Sequence, residues 1–321
     1  MKTPAYGWYE PSVYSHRHGV AKQKRRPYIR FILLIGLVIN GAVFAASSQL
    51  GGQSDSVEAT GQNQVANIEE VSLPPQLSTS QVPPESIGLV DPQLQTILQN
   101  WSNSHQKQDW SIVVKGLGDD NRYASVRGDS WYVPASLYKL LITYPLFQKY
   151  ELSTLESQKI TVGKEQKSVK SCVEAMLKWS DNDCGEALGK SLGWYHIDSA
   201  LQKAGLKQTQ LNRKDAMFSN ASDVNMFLEG LYDSKLFSGE ERKFILDNMQ
   251  QGSWRKGIPS ACTGCVVANK TGDLANVRHD SAIVTYNGGA YALTIMTSGA
   301  GYGDIAKIAG QIHDHIVATR P

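Results

Sequence analysis

Segments typical of β-strands lie at both ends of the region that begins near residue 87, and segments typical of helices lie between them. The N-terminal strand-like segments are residues 110–115 and 123–126. The C-terminal ones are residues 265–270, 281–286 and 290–297. Strands so far apart in the chain are expected to meet in one sheet, which must bury its apolar faces against the intervening helices. The pattern therefore predicts an α/β sandwich: an antiparallel β-sheet with helices on both faces.

Local signals mark several turns and helix ends. The dipeptide Asn287-Gly288 separates the last two strand-like segments and strongly favours a hairpin. Asp91 is a good N-cap, and it precedes a proline at the first helical position and an apolar stripe that reaches Trp101. We expect a helix there, mainly helical structure between residues 136 and 250, and a closing helix over about residues 304–318.

A basic cluster precedes an uncharged apolar segment near the start of the sequence. Five Lys and Arg side chains lie between residues 22 and 30, and residues 31–47 carry no charge. Such a segment is at the short end of what spans a bilayer, and its basic flank stays in the cytoplasm. We expect residues 1–30 to be cytoplasmic, residues 31–47 to be a transmembrane signal-anchor, and the remainder to lie outside.

Two alternatives exist for residues 31–47. A buried helix of a soluble protein could have the same composition, and the small residues around Ala45 could form a signal-peptidase site. The long basic region before the segment favours a retained anchor. Residues 48–86 are rich in Gln, Ser, Gly and Pro without apolar periodicity, so we expect a flexible linker that carries a domain of residues 87–321.

The overall charge argues against nucleic-acid binding. The chain has 32 Lys and Arg against 30 Asp and Glu, a net charge of +2. A nucleic-acid-binding domain usually carries a larger basic excess. We therefore expect no nucleic-acid partner.

Four cysteines lie in the part expected to be extracytoplasmic, where disulfides persist: Cys172, Cys184, Cys262 and Cys265. Three pairings are open, and the last two cysteines are close enough in sequence to pair locally. A zinc site made of all four is the functional alternative. It is disfavoured because only one pair has ligand-like spacing and no histidine accompanies it in the sequence.

Three short motifs occur in order: Ser136-Leu137-Tyr138-Lys139, Ser180-Asp181-Asn182 and Lys270-Thr271-Gly272. Each alone is weak. The second could be a plain helix cap, and the third could be a plain strand end. Their order and context, rather than any single match, carry the functional interpretation.

The first motif has a chemical logic of its own. Ser136 precedes the apolar run 140–147, so it is expected at the start of a buried helix. Residues three apart share a helix face, which places Lys139 beside Ser136. A buried lysine has a lowered pKa and can accept the proton of a serine hydroxyl, which makes the serine a nucleophile.

With these three motifs the chain resembles the class A β-lactamases and penicillin-binding proteins, a family of serine hydrolases. The resemblance extends over most of residues 87–321 and includes the segment Arg255-Lys256-Gly257-Ile258-Pro259. It implies an acyl-enzyme on Ser136, with Lys139 as proton acceptor and Ser180 as the proton relay to the departing nitrogen. It also implies an oxyanion hole formed by the backbone N–H groups of Ser136 and Asp273.

The resemblance further implies how substrate is held. Asn182 would bind the substrate's amide side chain and orient the motif lysine, and Lys270 and Thr271 would bind its carboxylate. Gly272 and Asp273 would complete the binding strand. The implied substrate is a β-lactam or a related peptidoglycan peptide, and no cofactor or metal is implied.

The sequence departs from the class A pattern in two places. We find no glutamate between residues 206 and 222 that could activate water; the acid there is Asp215, which we interpret as a solvated partner of its basic neighbours. Asp273 would weaken the binding of an anion, an effect that Arg278 could offset. His279, next to Arg278, is interpreted as structural.

These departures leave the turnover open. Without a base near the ester, acylation can proceed while deacylation stalls. The sequence therefore predicts a β-lactamase-type serine hydrolase. The alternatives are a penicillin-binding D-Ala-D-Ala peptidase or transpeptidase, and a peptidoglycan-binding module without turnover.

Overall fold

The computed structural model describes residues 88–212 and 216–319. The predicted cytoplasmic segment, signal-anchor and linker, residues 1–30, 31–47 and 48–86, lie outside the described residues and remain predictions. None of the described helices combines the length and apolar character needed to cross a membrane.

Six strands of the described residues form the main sheet. They are β1 (Leu89–Val90), β2 (Asp109–Leu117), β3 (Arg122–Val126), β6 (Val266–Leu274), β7 (Val277–Tyr286) and β8 (Gly289–Ser298). Their order across the sheet is β1-β3-β2-β8-β7-β6. The N-terminal β2 lies between β3 and the C-terminal β8, as expected for a sheet built from distant segments. The sheet is antiparallel except at its edge, where the two-residue β1 runs parallel to β3.

Helices lie against the sheet and connect its two parts. They are α1 (Pro92–Ser104), α2 (Tyr138–Leu141), α3 (Thr143–Lys149), α4 (Val169–Lys178), α5 (Asn182–Leu192), α6 (Trp194–Lys203), α7 (Ala221–Tyr232), α8 (Gly239–Gln250) and α9 (Tyr302–Ala318). The Asp91 side chain caps α1 as predicted, accepting from two backbone N–H groups of the first turn. The predicted hairpin is also present, with Tyr286 opposite Gly289.

Successive side chains of β2 lie in two different cores, which shows how the two faces of the sheet are covered. Ile112 and Val114 are buried in a core shared with α1 and α9. Val113, between them, is buried in a larger core formed with the helices of the middle of the chain. Successive strand side chains point to opposite faces, so each face of the sheet is covered by helices.

Two expectations for the middle of the chain need correction. A small hairpin of β4 (Lys159–Val162) and β5 (Glu165–Ser168) interrupts the region predicted as mainly helical. In addition, the helix expected from Ser136 onward is divided, because α2 ends before Ile142 and α3 begins after it. Pro145 explains the division, since a proline has no N–H to donate to the carbonyl four residues earlier and its ring crowds that carbonyl.

The four cysteines form two separate disulfides. Cys172 of α4 bonds to Cys184 of α5, and Cys262 bonds to Cys265 in the loop before β6. The local pairing of the last two cysteines is confirmed, and the four-cysteine zinc site is wrong. The first disulfide joins the two helices that flank the Ser180 motif.

Candidate active site

Ser136 lies on a 3₁₀ turn, Ala135–Leu137, that leads into α2. Ala135 has a φ of +46°, a left-handed conformation that is costly for a residue with a side chain. The neighbouring Leu137 is fully buried and anchors the turn in the core. The hydroxyl is therefore presented by a strained but fixed backbone, as the nucleophile of an acyl transfer requires.

His279 of β7 fixes the other side of this turn. Its Nδ1 accepts from the backbone N–H of Thr297 at 3.1 Å, so Nε2 carries the proton and donates to the Val133 carbonyl at 2.9 Å. Burial lowers the pKa of His279 to about 4, which keeps the ring neutral. Its contacts fit the structural interpretation, because it bonds to the backbone that leads to Ser136 and not to the hydroxyl itself.

Lys139 is fully buried, one helical turn after Ser136. Its Nζ lies 3.2 Å from Ser136 Oγ, 2.6 Å from the Ser180 carbonyl oxygen and 2.6 Å from Asn182 Oδ1. Burial lowers its pKa to about 7, although Asp181 and Asp183 act in the opposite direction. A substantial neutral fraction is therefore present near neutral pH.

The geometry around Nζ assigns its hydrogens when the amine is neutral. The carbonyl of Ser180 and the amide oxygen of Asn182 can only accept, so they take the two N–H hydrogens. The remaining lone pair then faces Ser136 Oγ. Lys139 is thus oriented as an acceptor for the serine proton.

Ser180 connects the two buried lysines. Its φ of +59° turns the residue out of the chain direction just before α5, and Asp181 caps that helix by accepting from the Cys184 N–H at 2.8 Å. The Ser180 hydroxyl lies 2.9 Å from Lys270 Nζ and 3.4 Å from Lys139 Nζ. The motif is therefore a helix cap and also part of the cluster, since the cap positions its serine between two amines.

Lys270 extends from the middle of β6 and not from a strand end, because the strand continues to Leu274. Its Nζ donates to the Ser180 hydroxyl and to the Thr271 carbonyl, both at 2.9 Å. Burial and the nearby Lys139 hold the pKa of Lys270 well below its usual value. Thr271 is also buried.

Gly272 allows β6 to approach the 3₁₀ turn Ala135–Leu137, the Ser136 turn. A Cβ on this residue would lie 2.7 Å from the Pro134 carbonyl oxygen and 3.2 Å from the His279 ring. The next residue, Asp273, forms a 3.1 Å ion pair with Arg278, which lies opposite it on β7. Arg278, which the sequence predicted would offset the charge of Asp273, is therefore in contact with it.

A buried polar network behind Lys270 was missed by the sequence interpretation. Asp280 lies opposite Thr271 and accepts from Asn269 Nδ2 and from the Ile258 N–H, both at 2.8 Å. Arg255 donates to Asn269 Oδ1 at 2.8 Å. Burial raises the pKa of Asp280 to about 7. The only sequence signal for this network was the segment 255–259, noted as part of the resemblance.

The described part of the loop after α6, where a water-activating acid would be expected, is held in place by two carboxylates. Asp198 accepts from the N–H groups of Leu211 and Asn212, and Asp223 accepts from the Thr209 hydroxyl. Asp215 lies outside the described residues. Within residues 88–212 and 216–319, no carboxylate hydrogen bonds to the side chains of the three-motif cluster.

Comparison with solved structures agrees with this architecture. A point mutant of PBP-A, described as an acyl-enzyme complex with penicillin G, is 20% identical, with a TM-score of 0.68, over 74% of this chain and 100% of that one. The extended-spectrum β-lactamase TLA-3 is 19% identical, with a TM-score of 0.63, over 70% and 99%. A β-lactamase from Sphaerobacter thermophilus is 14% identical, with a TM-score of 0.59, over 70% and 96%. At these identities the likeness shows the fold.

The sequence comparisons give the family. No curated protein sequence matches the chain. A family model described as the beta-lactamase enzyme family matches residues 93–318, which include all three motifs and both halves of the sheet. The chain therefore belongs to the beta-lactamase enzyme family.

Proposed function

We propose that this β-lactamase-type serine hydrolase is acylated at Ser136 by β-lactams or related cell-wall peptides and releases the acyl group slowly. The observation that carries the proposal is the 3.2 Å distance between the buried Lys139 Nζ and Ser136 Oγ. Membership of the family supports an amide bond as the reacting group. The site residues and their roles remain predictions.

The acylation step follows from the positions of three side chains. Lys139 takes the proton of Ser136 as the serine oxygen bonds to the amide carbonyl carbon. The C–N bond then breaks, and the proton passes to the departing nitrogen through the Ser180 hydroxyl, which lies within 3.4 Å of Lys139 Nζ. Negative charge develops on the carbonyl oxygen during this step. Hydrogen-bond donors that are already in position, here the predicted backbone N–H groups of Ser136 and Asp273, stabilise that charge without a rearrangement of the site.

Substrate binding is assigned to the β6 edge of the cluster. A protonated Lys270 supplies a charge for a substrate carboxylate, and Thr271 supplies a hydroxyl donor. Asn182, on the opposite side, already holds Lys139 at 2.6 Å and has its amide N–H₂ available for a substrate carbonyl. The substrate class is an amide or lactam with a carboxylate near the scissile bond.

Slow release is supported by the chemistry of the second step. Hydrolysis of the ester needs a water molecule and a base that deprotonates it. The described acids beside the loop, Asp198 and Asp223, are engaged by backbone and hydroxyl donors. An acyl-enzyme with penicillin G is described for the point mutant of PBP-A that shares this fold.

The test is labelling of the full-length chain with a fluorescent penicillin, followed by mass spectrometry of the modified peptide. We expect one adduct on Ser136, none in Ser136→Ala, and full labelling in the control Ser157→Ala, whose hydroxyl lies in an exposed turn. After removal of free penicillin, the adduct should persist over many minutes. Rapid release would make the protein an efficient β-lactamase, and labelling that survives Ser136→Ala would overturn the proposal.

We also propose that the domain is held outside a membrane by residues 31–47. The support is the basic flank before an uncharged apolar segment. In cells, the chain should sediment with membranes, and added protease should degrade the domain without lysis. Recovery in the soluble fraction, or protection until lysis, would contradict this location.

A further inference from the structure

Cys262, Cys265 and His313 form a cluster away from the three motifs. The Nε2 atom of His313 lies 3.1 Å from Cys262 Sγ and 3.6 Å from Cys265 Sγ. One ligand atom from each residue lies within 4.8 Å of the others, and all three side chains are partly buried. The sequence interpretation disfavoured a zinc site made of all four cysteines, because only one pair has ligand-like spacing and no histidine accompanies it. In the structure, α9 brings His313, 48 residues after Cys265, beside the second pair.

The three residues are held by separate, well-packed elements. The cysteines flank the turn Thr263-Gly264, whose glycine has a φ of +85°, between a 3₁₀ turn, Ile258–Ser260, and β6. His313 follows the fully buried Ile312 on α9. The flanking strand and helix are packed through other residues, so we expect the three donors to stay close together when the sulfur–sulfur bond is opened.

The histidine is oriented as a metal ligand requires. Its Nδ1 lies 3.2 Å from the hydroxyl of the buried Tyr291, which leaves Nε2 directed at the sulfurs. A histidine that binds a metal through one nitrogen usually has the other held by a polar neighbour.

The second disulfide offers a comparison within the same chain. Cys172 and Cys184 are both buried, and they have no companion histidine or carboxylate in a metal-binding arrangement among the described residues. They join two helices across a sequence separation of 12. That pair is placed as a covalent link, whereas the Cys262 pair is at the surface beside a third donor.

We propose that the dithiol form of Cys262 and Cys265, together with His313, binds one zinc ion, and that the disulfide is the metal-free oxidised form. A thiol reductant supplies two electrons and two protons, which convert the disulfide to two thiols while the reductant becomes a disulfide. Zinc then binds two thiolates and Nε2, and two protons are released. Two sulfurs and one imidazole nitrogen are a ligand set that zinc prefers, and water completes the tetrahedron.

The test uses full-length protein reduced anaerobically and titrated with zinc and, separately, with cobalt. Native mass spectrometry should show one zinc per chain, and cobalt should give the absorption of a thiolate-bound tetrahedral ion. His313→Ala should weaken zinc binding by more than about tenfold. Tyr291→Phe removes only the hydroxyl beside His313 Nδ1, and it should weaken zinc binding by about tenfold. The control His196→Ala, at an exposed histidine of α6, should bind as the wild type does.

Two outcomes would overturn the proposal. One is a reduced, folded protein that binds no zinc; the other is zinc affinity that His313→Ala leaves unchanged. The double variant Cys172→Ala/Cys184→Ala removes the other thiols and should still bind one zinc ion. Labelling of Ser136 by penicillin, measured on the same samples, keeps this result separate from that of the proposed function.

Discussion

Replacing Gly272 with alanine tests whether β6 must lie close to the Ser136 turn, Ala135–Leu137. The added Cβ would lie 2.7 Å from the Pro134 carbonyl oxygen and 3.3 Å from Leu137 Cγ. Ordinary carbon contacts begin near 3.4 Å, so relief of the first contact requires a movement of about 0.7 Å. The strand and the turn carry Lys270 and Ser136 respectively, so this movement separates the two parts of the cluster.

The expected effect is mainly kinetic. A misplacement of about 1 Å can reduce a reaction rate about a hundredfold. A shift of about 0.7 Å should therefore slow acylation by more than about tenfold, on the same scale. Stability should fall by about 1–3 kcal/mol, the usual cost of overpacking of this size. This loss leaves the chain folded, because native domains are stable by about 5–15 kcal/mol.

The assay compares the rate of acylation by a fluorescent penicillin with the free energy of unfolding in denaturant. The control is Gly239→Ala at the start of α8, where a Cβ meets nothing within 4 Å; it should acylate as the wild type does. If Gly272→Ala is acylated at the wild-type rate with unchanged stability, the close approach of strand and turn has no role in the reaction. If it loses stability and rate in proportion, the glycine serves the fold rather than the site.

Three further predictions address charge and covalent links. The acylation rate should rise with pH through about 7, because only neutral Lys139 accepts the serine proton, and Asp183→Asn should move the midpoint to lower pH in stopped-flow measurements. The pKa of His279 is about 4 in the folded protein and about 6.5 in the unfolded chain. Its contribution to the free energy of unfolding is therefore complete above pH 6.5 and is lost as the pH falls towards 4. Over that range, denaturant unfolding should show the wild type losing about 3 kcal/mol of stability relative to His279→Gln. The double variant Cys172→Ala/Cys184→Ala should lower the free energy of unfolding by about 3 kcal/mol in the same assay, since the link closes a short loop in the unfolded chain.

The parts of the fold that could be predicted are those with strong local signals. Short apolar segments typical of strands identified the five longer strands of the main sheet, and Asn287-Gly288 identified the hairpin between β7 and β8. The β4–β5 hairpin was missed because β5, Glu165–Ser168, is polar and largely exposed, so it has no apolar alternation to detect. The two-residue β1 is too short to show a period.

The candidate site was predictable as a set of residues but not as a geometry. Short motifs named Ser136, Lys139 and Ser180, and helical spacing placed the first two together. No sequence rule gave the positive φ of Ser180, which turns its hydroxyl between two lysines. The role of Asp280 was hidden for a different reason: its partners come from a neighbouring strand and from the loop before β6, and register decides which residues meet across strands.

If the proposed roles hold, the two buried lysines let one site both bind an anion and activate a serine. Burial and a protonated Lys139 lower the pKa of Lys270. Because the repulsion between two protonated amines is mutual, we expect one charged and one neutral amine in preference to two charged ones. A substrate carboxylate beside Lys270 would favour the state in which that lysine carries the charge. Lys139 is then the neutral partner, ready to take the proton of Ser136. We therefore expect binding of the anion and activation of the nucleophile to be coupled through the Ser180 hydroxyl, which lies between the two amines. This coupling would accelerate acylation without supplying a base for the water that must later remove the acyl group.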